Sequence, residues 1–78
     1  MGSKYPILKD SEITKRLRKL GFRFKSQNGS HAKYVNVSND NQKRTAIVPM
    51  NGDVPRGTLQ SILEQADLSL EEFMGKQQ

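Results

Sequence analysis

The sequence contains no cysteine and only one histidine, His31, in 78 residues. Without thiols there is no disulfide, thiolate zinc site, iron–sulfur cluster or cysteine nucleophile. A single imidazole cannot build a multi-histidine metal site either. No apolar run approaches the ~20 residues that a membrane-spanning helix requires, and no apolar signal segment is read at the start. The expectation is a soluble, cytoplasmic chain in a reducing compartment, with no membrane partner, metal or small-molecule cofactor. Length excludes more. Seventy-eight residues make one small domain, and such a domain buries roughly 60% of the surface its unfolded chain exposes. Any catalysis must then occur at an open surface, on a polymer-sized or surface-bound substrate.

Acidic residues are scarce and unevenly placed. Thirteen Lys and Arg stand against eight Asp and Glu, for a net charge of +5. Residues 1–56 hold twelve basic and four acidic residues, whereas residues 57–78 hold one basic and four acidic. A basic body with an acidic tail points to a polyanionic partner for the body.

The chain reads as an ordered set of elements. Ser11 suits the N-cap of a first helix and Glu12 suits its positive end. Ile13, Leu17 and Leu20 form one apolar stripe, which leaves Lys15, Arg16, Arg18 and Lys19 on the solvent side. Gly21 stands where a left-handed C-terminal cap is expected. Phe22-Arg23-Phe24-Lys25 alternates with period two, as a strand with an aromatic inner face and a basic outer face. Gln27-Asn28-Gly29-Ser30 signals a hairpin through Asn-Gly. A second strand spans about His31 to Val37. Its inward face is ambiguous between Ala32/Tyr34 and His31/Lys33/Val35/Val37, unless a bulge reconciles the two. Ser38-Asn39-Asp40-Asn41 is a turn, and Arg44 to Val48 is a buried strand stopped by Pro49. After an irregular loop from Pro49 to Pro55, a second helix runs to about Ala66 on a stripe of Leu59, Ile62, Leu63 and Ala66. Ser69-Leu70-Glu71-Glu72 is a capping box that opens a short third helix anchored by Leu70 and Phe73. The expected fold class is α+β, in the order α-β-β-β-α. It has a three-stranded antiparallel sheet, both long helices on one face and a short C-terminal helix. The other face of the sheet is expected to be polar and basic. This is the element order of a double-stranded-RNA-binding domain.

Few side chains suggest chemistry. Histidine titrates ordinarily near neutral pH and serves as a proton carrier. His31 follows the tight turn in Gly29-Ser30-His31 and shares its strand parity with Lys33, which argues for exposure. Carboxylates are scattered, without the spacing of a metal-binding pair. Gly57 and Thr58, beside Arg56, open the second helix, where free backbone N–H groups can receive an anion. Phe24 and Tyr34 suit either core packing or base stacking. The second helix turns Gln60, Glu64 and Gln65 outward, with only Arg56 basic at its start. That is a poor grip on duplex RNA.

Several motifs, in order, carry a family resemblance. They are Leu17-x-x-Leu20-Gly21-Phe22, Gly29-Ser30-His31, Val48-Pro49, Gly57-Thr58-Leu59-x-Ser61-Ile62-Leu63-x-Gln65-Ala66 and Leu68-Ser69-Leu70-Glu71-Glu72-Phe73. Over about residues 8–74 the chain resembles the HicA toxin family, the mRNA interferases of type II toxin–antitoxin systems. The resemblance implies one HicA-like domain with a fold like a double-stranded-RNA-binding domain. It implies metal-independent cleavage of mRNA by the histidine of Gly29-Ser30-His31, and a HicB-like antitoxin that covers the active site. It departs from the family at Val48-Pro49-Met50-Asn51, where many members carry a histidine in place of Asn51. On this reading His31 is the catalytic general base or acid. Lys15, Arg16, Lys19, Lys25, Ser30, Lys33, Arg56 and Thr58 are the expected RNA contacts. Two other readings stay open: a non-catalytic RNA-binding module, and a protein-interaction domain that docks an acidic partner.

Overall fold

The computed structural model describes residues 4–37 and 42–75. The turn expected at Ser38 to Asn41 lies outside the described residues. Among the described residues the order is β1 (Leu8–Lys9), α1 (Asp10–Lys19), β2 (Arg23–Asn28), β3 (His31–Val37), β4 (Lys43–Pro49), β5 (Asp53–Val54), α2 (Arg56–Gln65) and α3 (Leu70–Met74). Strands β2, β3 and β4 form an antiparallel sheet in that spatial order, and β1 pairs with β5 in a separate two-stranded ladder.

That small ladder corrects two expectations. The Pro49–Pro55 segment is not wholly irregular, because Leu8 pairs with Val54 and Lys9 with Asp53. The pairing holds Lys9 extended, so α1 starts at Asp10 with Lys9 as its N-cap and without a side-chain cap. Ser11 is therefore inside the helix rather than capping it. Asp10 does the local work instead. Its Oδ1 accepts from the Ser11 N–H at 2.6 Å and its Oδ2 from the Gly52 N–H at 3.1 Å. Its own N–H donates to the Gly52 carbonyl at 2.9 Å.

The far end of α1 closes as its sequence indicates. The Phe22 N–H reaches the Leu17 carbonyl and the Gly21 N–H the Arg18 carbonyl, both at 3.0 Å. This bonding pattern needs a left-handed residue at Gly21, whose φ is +95°. Helix α2 ends in the same pattern, with Leu68 bonded to Leu63 and Asp67 to Glu64. There the left-handed residue is Asp67, at φ +56°. The capping box of α3 is complete: Ser69 Oγ accepts from the Glu72 N–H, and Glu72 Oε1 accepts from the Ser69 N–H.

The hairpin between β2 and β3 pairs Asn28 with His31, so its two loop residues are Gly29 and Ser30, one position later than Asn-Gly suggests. Gly29 has φ +62°, and Ser30 is not in the left-handed region. A positive φ at the first loop position alone is the type II′ pattern, which matches strand twist. The ambiguity of the second strand resolves without a bulge in it, because Ala32 and Tyr34 are buried and His31 is exposed. The bulge lies in β2 instead. Phe24 pairs with Tyr34 and Ser26 with Lys33, which leaves Lys25 as the extra residue.

The core is one cluster between the sheet and the helices. Ala32, Tyr34, Ala46 and Val48 supply the sheet side. Ile13 and Leu17 of α1, and Leu59, Ile62 and Leu63 of α2, cover them, with Phe22, Val54, Ala66 and Phe73 at the margins. Leu20, expected in the first stripe, is only partly buried. The helices lie over β4 rather than β2. Phe24 therefore has inward parity but remains 55% exposed, and only Phe22 of the expected aromatic inner face reaches the core.

Candidate nucleic-acid interface

The outer face of the sheet takes its residues from strand parity. Along β3 it receives His31, Lys33, Val35 and Val37. Register brings Asn28 and Pro49 beside His31, Ser26 and Ile47 beside Lys33, and Arg23 and Thr45 beside Val35. The three strands contain Arg23, Lys25, Lys33, Lys43 and Arg44 and not one Asp or Glu. Outside them the described residues carry seven Lys and Arg and seven Asp and Glu. The net positive charge of the described protein thus belongs to the sheet. The division seen along the sequence, a basic body and an acidic tail, becomes in space a basic sheet and a neutral helical layer.

His31, Lys33, Ser26, Asn28 and Ile47 line an open concavity of about 410 Å³ on this face. The imidazole is exposed, and among the described residues no side chain hydrogen-bonds to it. Among the described residues no carboxylate pairs with it to fix its tautomer. No group of three or more His, Cys, Asp or Glu that could hold a metal occurs among the described residues.

The loop after β4 comes to the same place. His31 pairs with Pro49, and the Met50 N–H donates to the Ser30 carbonyl. Gly29-Ser30-His31 and Pro49-Met50-Asn51, some twenty positions apart in sequence, therefore lie side by side, with Asn51 exposed. The sequence model of the HicA toxin of bacterial toxin–antitoxin systems matches residues 11–68, from α1 through α2, and includes both segments. The chain belongs to the HicA toxin family. It is accordingly a toxin of a toxin–antitoxin system, with an antitoxin as its partner. No curated protein matches the sequence. No helix among the described residues is long and apolar enough to cross a membrane.

The expected RNA contacts of this HicA-family toxin fall into three groups. Ser30, Lys33 and Lys25 are with His31: Ser30 is in the turn, Lys33 lines the concavity and Lys25 is the exposed bulged residue of β2. Lys15, Arg16 and Lys19 are on α1, in the layer that covers the opposite side of the sheet. Lys15 and Lys19 are exposed there. Arg16 is not free: its Nε lies 2.7 Å from Glu12 Oε2, and an Nη–H donates to the Met74 carbonyl at 3.0 Å. Its guanidinium also sits 6.0 Å from the centre of the Phe73 ring. Arg16 ties α1 to α3. Arg56 is exposed and Thr58 half-buried in the first turn of α2, after Pro55 as N-cap. Arg23, Lys43, Ser26 and Asn28 belong to the sheet face and were not among the expected contacts. For Ser26 and Asn28 the signal is period two back from the hairpin that pairs Asn28 with His31; Arg23 joins them only through the bulge at Lys25.

Proposed function

We propose that this toxin is a metal-independent endoribonuclease that cleaves mRNA on the outer face of its sheet. The single observation that carries the reading is His31, exposed and unpartnered in a concavity with Lys33, on a sheet without carboxylates. RNA is the polyanion that brings its own nucleophile. The neutral imidazole takes the proton of a ribose 2′-OH, and the 2′-oxygen attacks the adjacent phosphorus. The bond to the 5′-oxygen breaks, and that oxygen takes a proton from solvent. The products are a 2′,3′-cyclic phosphate and a 5′-hydroxyl. Lys33 and Lys25, with Arg56 if the strand extends that far, offset the charge that develops on the phosphoryl oxygens. Ser30, Asn51 and Thr58 donate hydrogen bonds to flanking phosphates. Asn51 cannot carry a proton near neutral pH, so His31 acts as the base and solvent supplies the proton to the leaving oxygen.

The antitoxin is HicB-like and covers this same face. A cationic surface suits an inhibitor that presents carboxylates where the RNA would present phosphates. Val37 and Ile47, 59% and 39% exposed, give such a partner apolar anchors among the cations. Action on mRNA places the toxin in the cytoplasm.

The test is cleavage of a long single-stranded RNA by wild-type protein and by His31→Ala, each with and without EDTA. The expected result is cleavage by the wild type, unaffected by EDTA, with a loss of about 10²–10⁴-fold in the variant. RNA shifted but uncut by both proteins would instead make the chain a binding module. Cleavage of DNA at a similar rate would rule out the 2′-OH as nucleophile.

A further inference from the structure

At the far end of β2 from His31 the sheet carries a second exposed feature, on its other side. Phe24 is a large apolar side chain, 55% exposed, at the edge strand that the helices leave uncovered. Its ring is held edge-on to Tyr34, with centroids 5.8 Å apart and planes at 76°. Tyr34 is buried, so the contact orients Phe24 while the Phe24 side chain stays largely exposed. The Arg18 guanidinium lies 5.9 Å from the centre of the Tyr34 ring. Arg18, Gly21, Phe22, Arg23 and Phe24 line an open concavity of about 420 Å³. The Arg18 guanidinium and an exposed ring meet at this hollow, Arg23 borders it from a position whose parity is that of the outer face, and no carboxylate lines it.

We propose that this corner is a nucleotide subsite for single-stranded RNA, in which a base stacks on Phe24, Arg18 holds the phosphate beside it, and Arg23 meets the strand where it crosses to the outer face. The inference rests on the ribonuclease reading and adds to it the residues that hold the substrate away from the cleaved bond. Base stacking on an aromatic ring needs a π-face with cations at backbone distance, and this corner supplies both. A duplex keeps its bases stacked on one another, so the strand that binds here is single. The position also fits a continuous path. Tyr34, the partner of Phe24, is three residues from His31 along β3, about 10 Å at the rise of a strand. An RNA strand that crosses the β2 edge by Lys25 passes from the imidazole on one side to the Phe24 ring on the other.

The experiment uses the full chain carrying His31→Ala, so that RNA is bound and not cut, with a short fluorescently labelled single-stranded RNA. Phe24→Ala and Phe24→Leu are each expected to weaken binding by roughly 5- to 150-fold, the effect of removing one base–aromatic stack. Phe24→Trp is expected to bind at least as tightly as the parent. Because Phe24 is outside the core, unfolding midpoints of all three variants should match the parent and separate lost stacking from lost fold. Arg18→Gln is expected to lower the slope of log affinity against log salt by about one. Equal binding by parent, Phe24→Ala and Phe24→Leu would overturn the subsite and leave the ribonuclease reading intact. Variants that keep RNA binding but lose the antitoxin would also overturn it, in favour of a protein contact. No RNA binding by the parent would overturn both readings together.

Discussion

The sheet of this toxin and the described residues outside it hold similar numbers of cations, five and seven, and put them to different use. Outside the sheet two of the cations have carboxylate partners. Arg16 meets Glu12 and the end of α3, Lys9 meets Asp53, and the described residues outside the sheet are balanced at seven and seven. In the sheet layer five Lys and Arg and the one histidine stand with no carboxylate among them. Exposed ion pairs contribute little to stability, typically 0–1 kcal/mol. Cations gathered in one sheet without counter-charges repel one another, and a sheet that turns Arg23, Lys33 and Lys43 to its outer face is useful when a polyanion comes to it. Substitutions in the helical layer away from the Arg18 corner should therefore leave activity alone, with core positions registering in stability, and sheet-face substitutions should register in activity.

The largest expected effect is His31→Ala. It should remove two to four orders of magnitude of RNA cleavage, read on a gel, and leave thermal unfolding unchanged, because His31 is exposed and unpartnered. Leu17→Ala lies on the other side of the comparison. Leu17 is fully buried, and its truncation should cost about 2–5 kcal/mol of unfolding free energy in a urea titration. Any cleavage should survive in the fraction that stays folded. Asp67→Gly is the smallest. It replaces an acidic residue in the left-handed conformation at a helix C-terminus, where backbone strain and helix dipole both disfavour Asp. Those gains exceed the extra freedom of glycine in the unfolded chain. The net expectation is a stabilisation of about 0.5–1 kcal/mol with cleavage unaltered. A loss of cleavage in Leu17→Ala beyond its unfolded fraction, or in Asp67→Gly, would break the division between layers.

Much of this division was legible in the sequence, and the residues show where legibility stops. Periodicity placed Ile13, Leu17, Leu59, Ile62 and Leu63 inward, and local chemistry placed the Gly21 cap and the Ser69 capping box. These signals are complete within one turn or one helix face. The β1–β5 ladder was not legible, because two residues per strand give no period to read, and without it Ser11 looked like the cap. The bulge at Lys25 was invisible for a related reason: it is a property of pairing, not of β2 alone. Parity marks Phe24 as inward, but only packing reveals that no helix lies over it. The site shows the same limit. Gly29-Ser30-His31 pointed to the imidazole, yet the cations of α1 and those of β2 and β3 look equivalent along the chain. Folding places them on opposite layers of one sheet.

The most direct measurement compares RNA cleavage by Lys33→Gln with that by the Lys15→Gln/Lys19→Gln pair, at one salt concentration. A sheet-face active site predicts that Lys33→Gln lowers the rate by about tenfold or more, while the helix pair cleaves like wild type although it has lost twice the charge. If the helix pair abolishes cleavage and Lys33→Gln does not, the RNA lies on the helical layer and the site is not the sheet face.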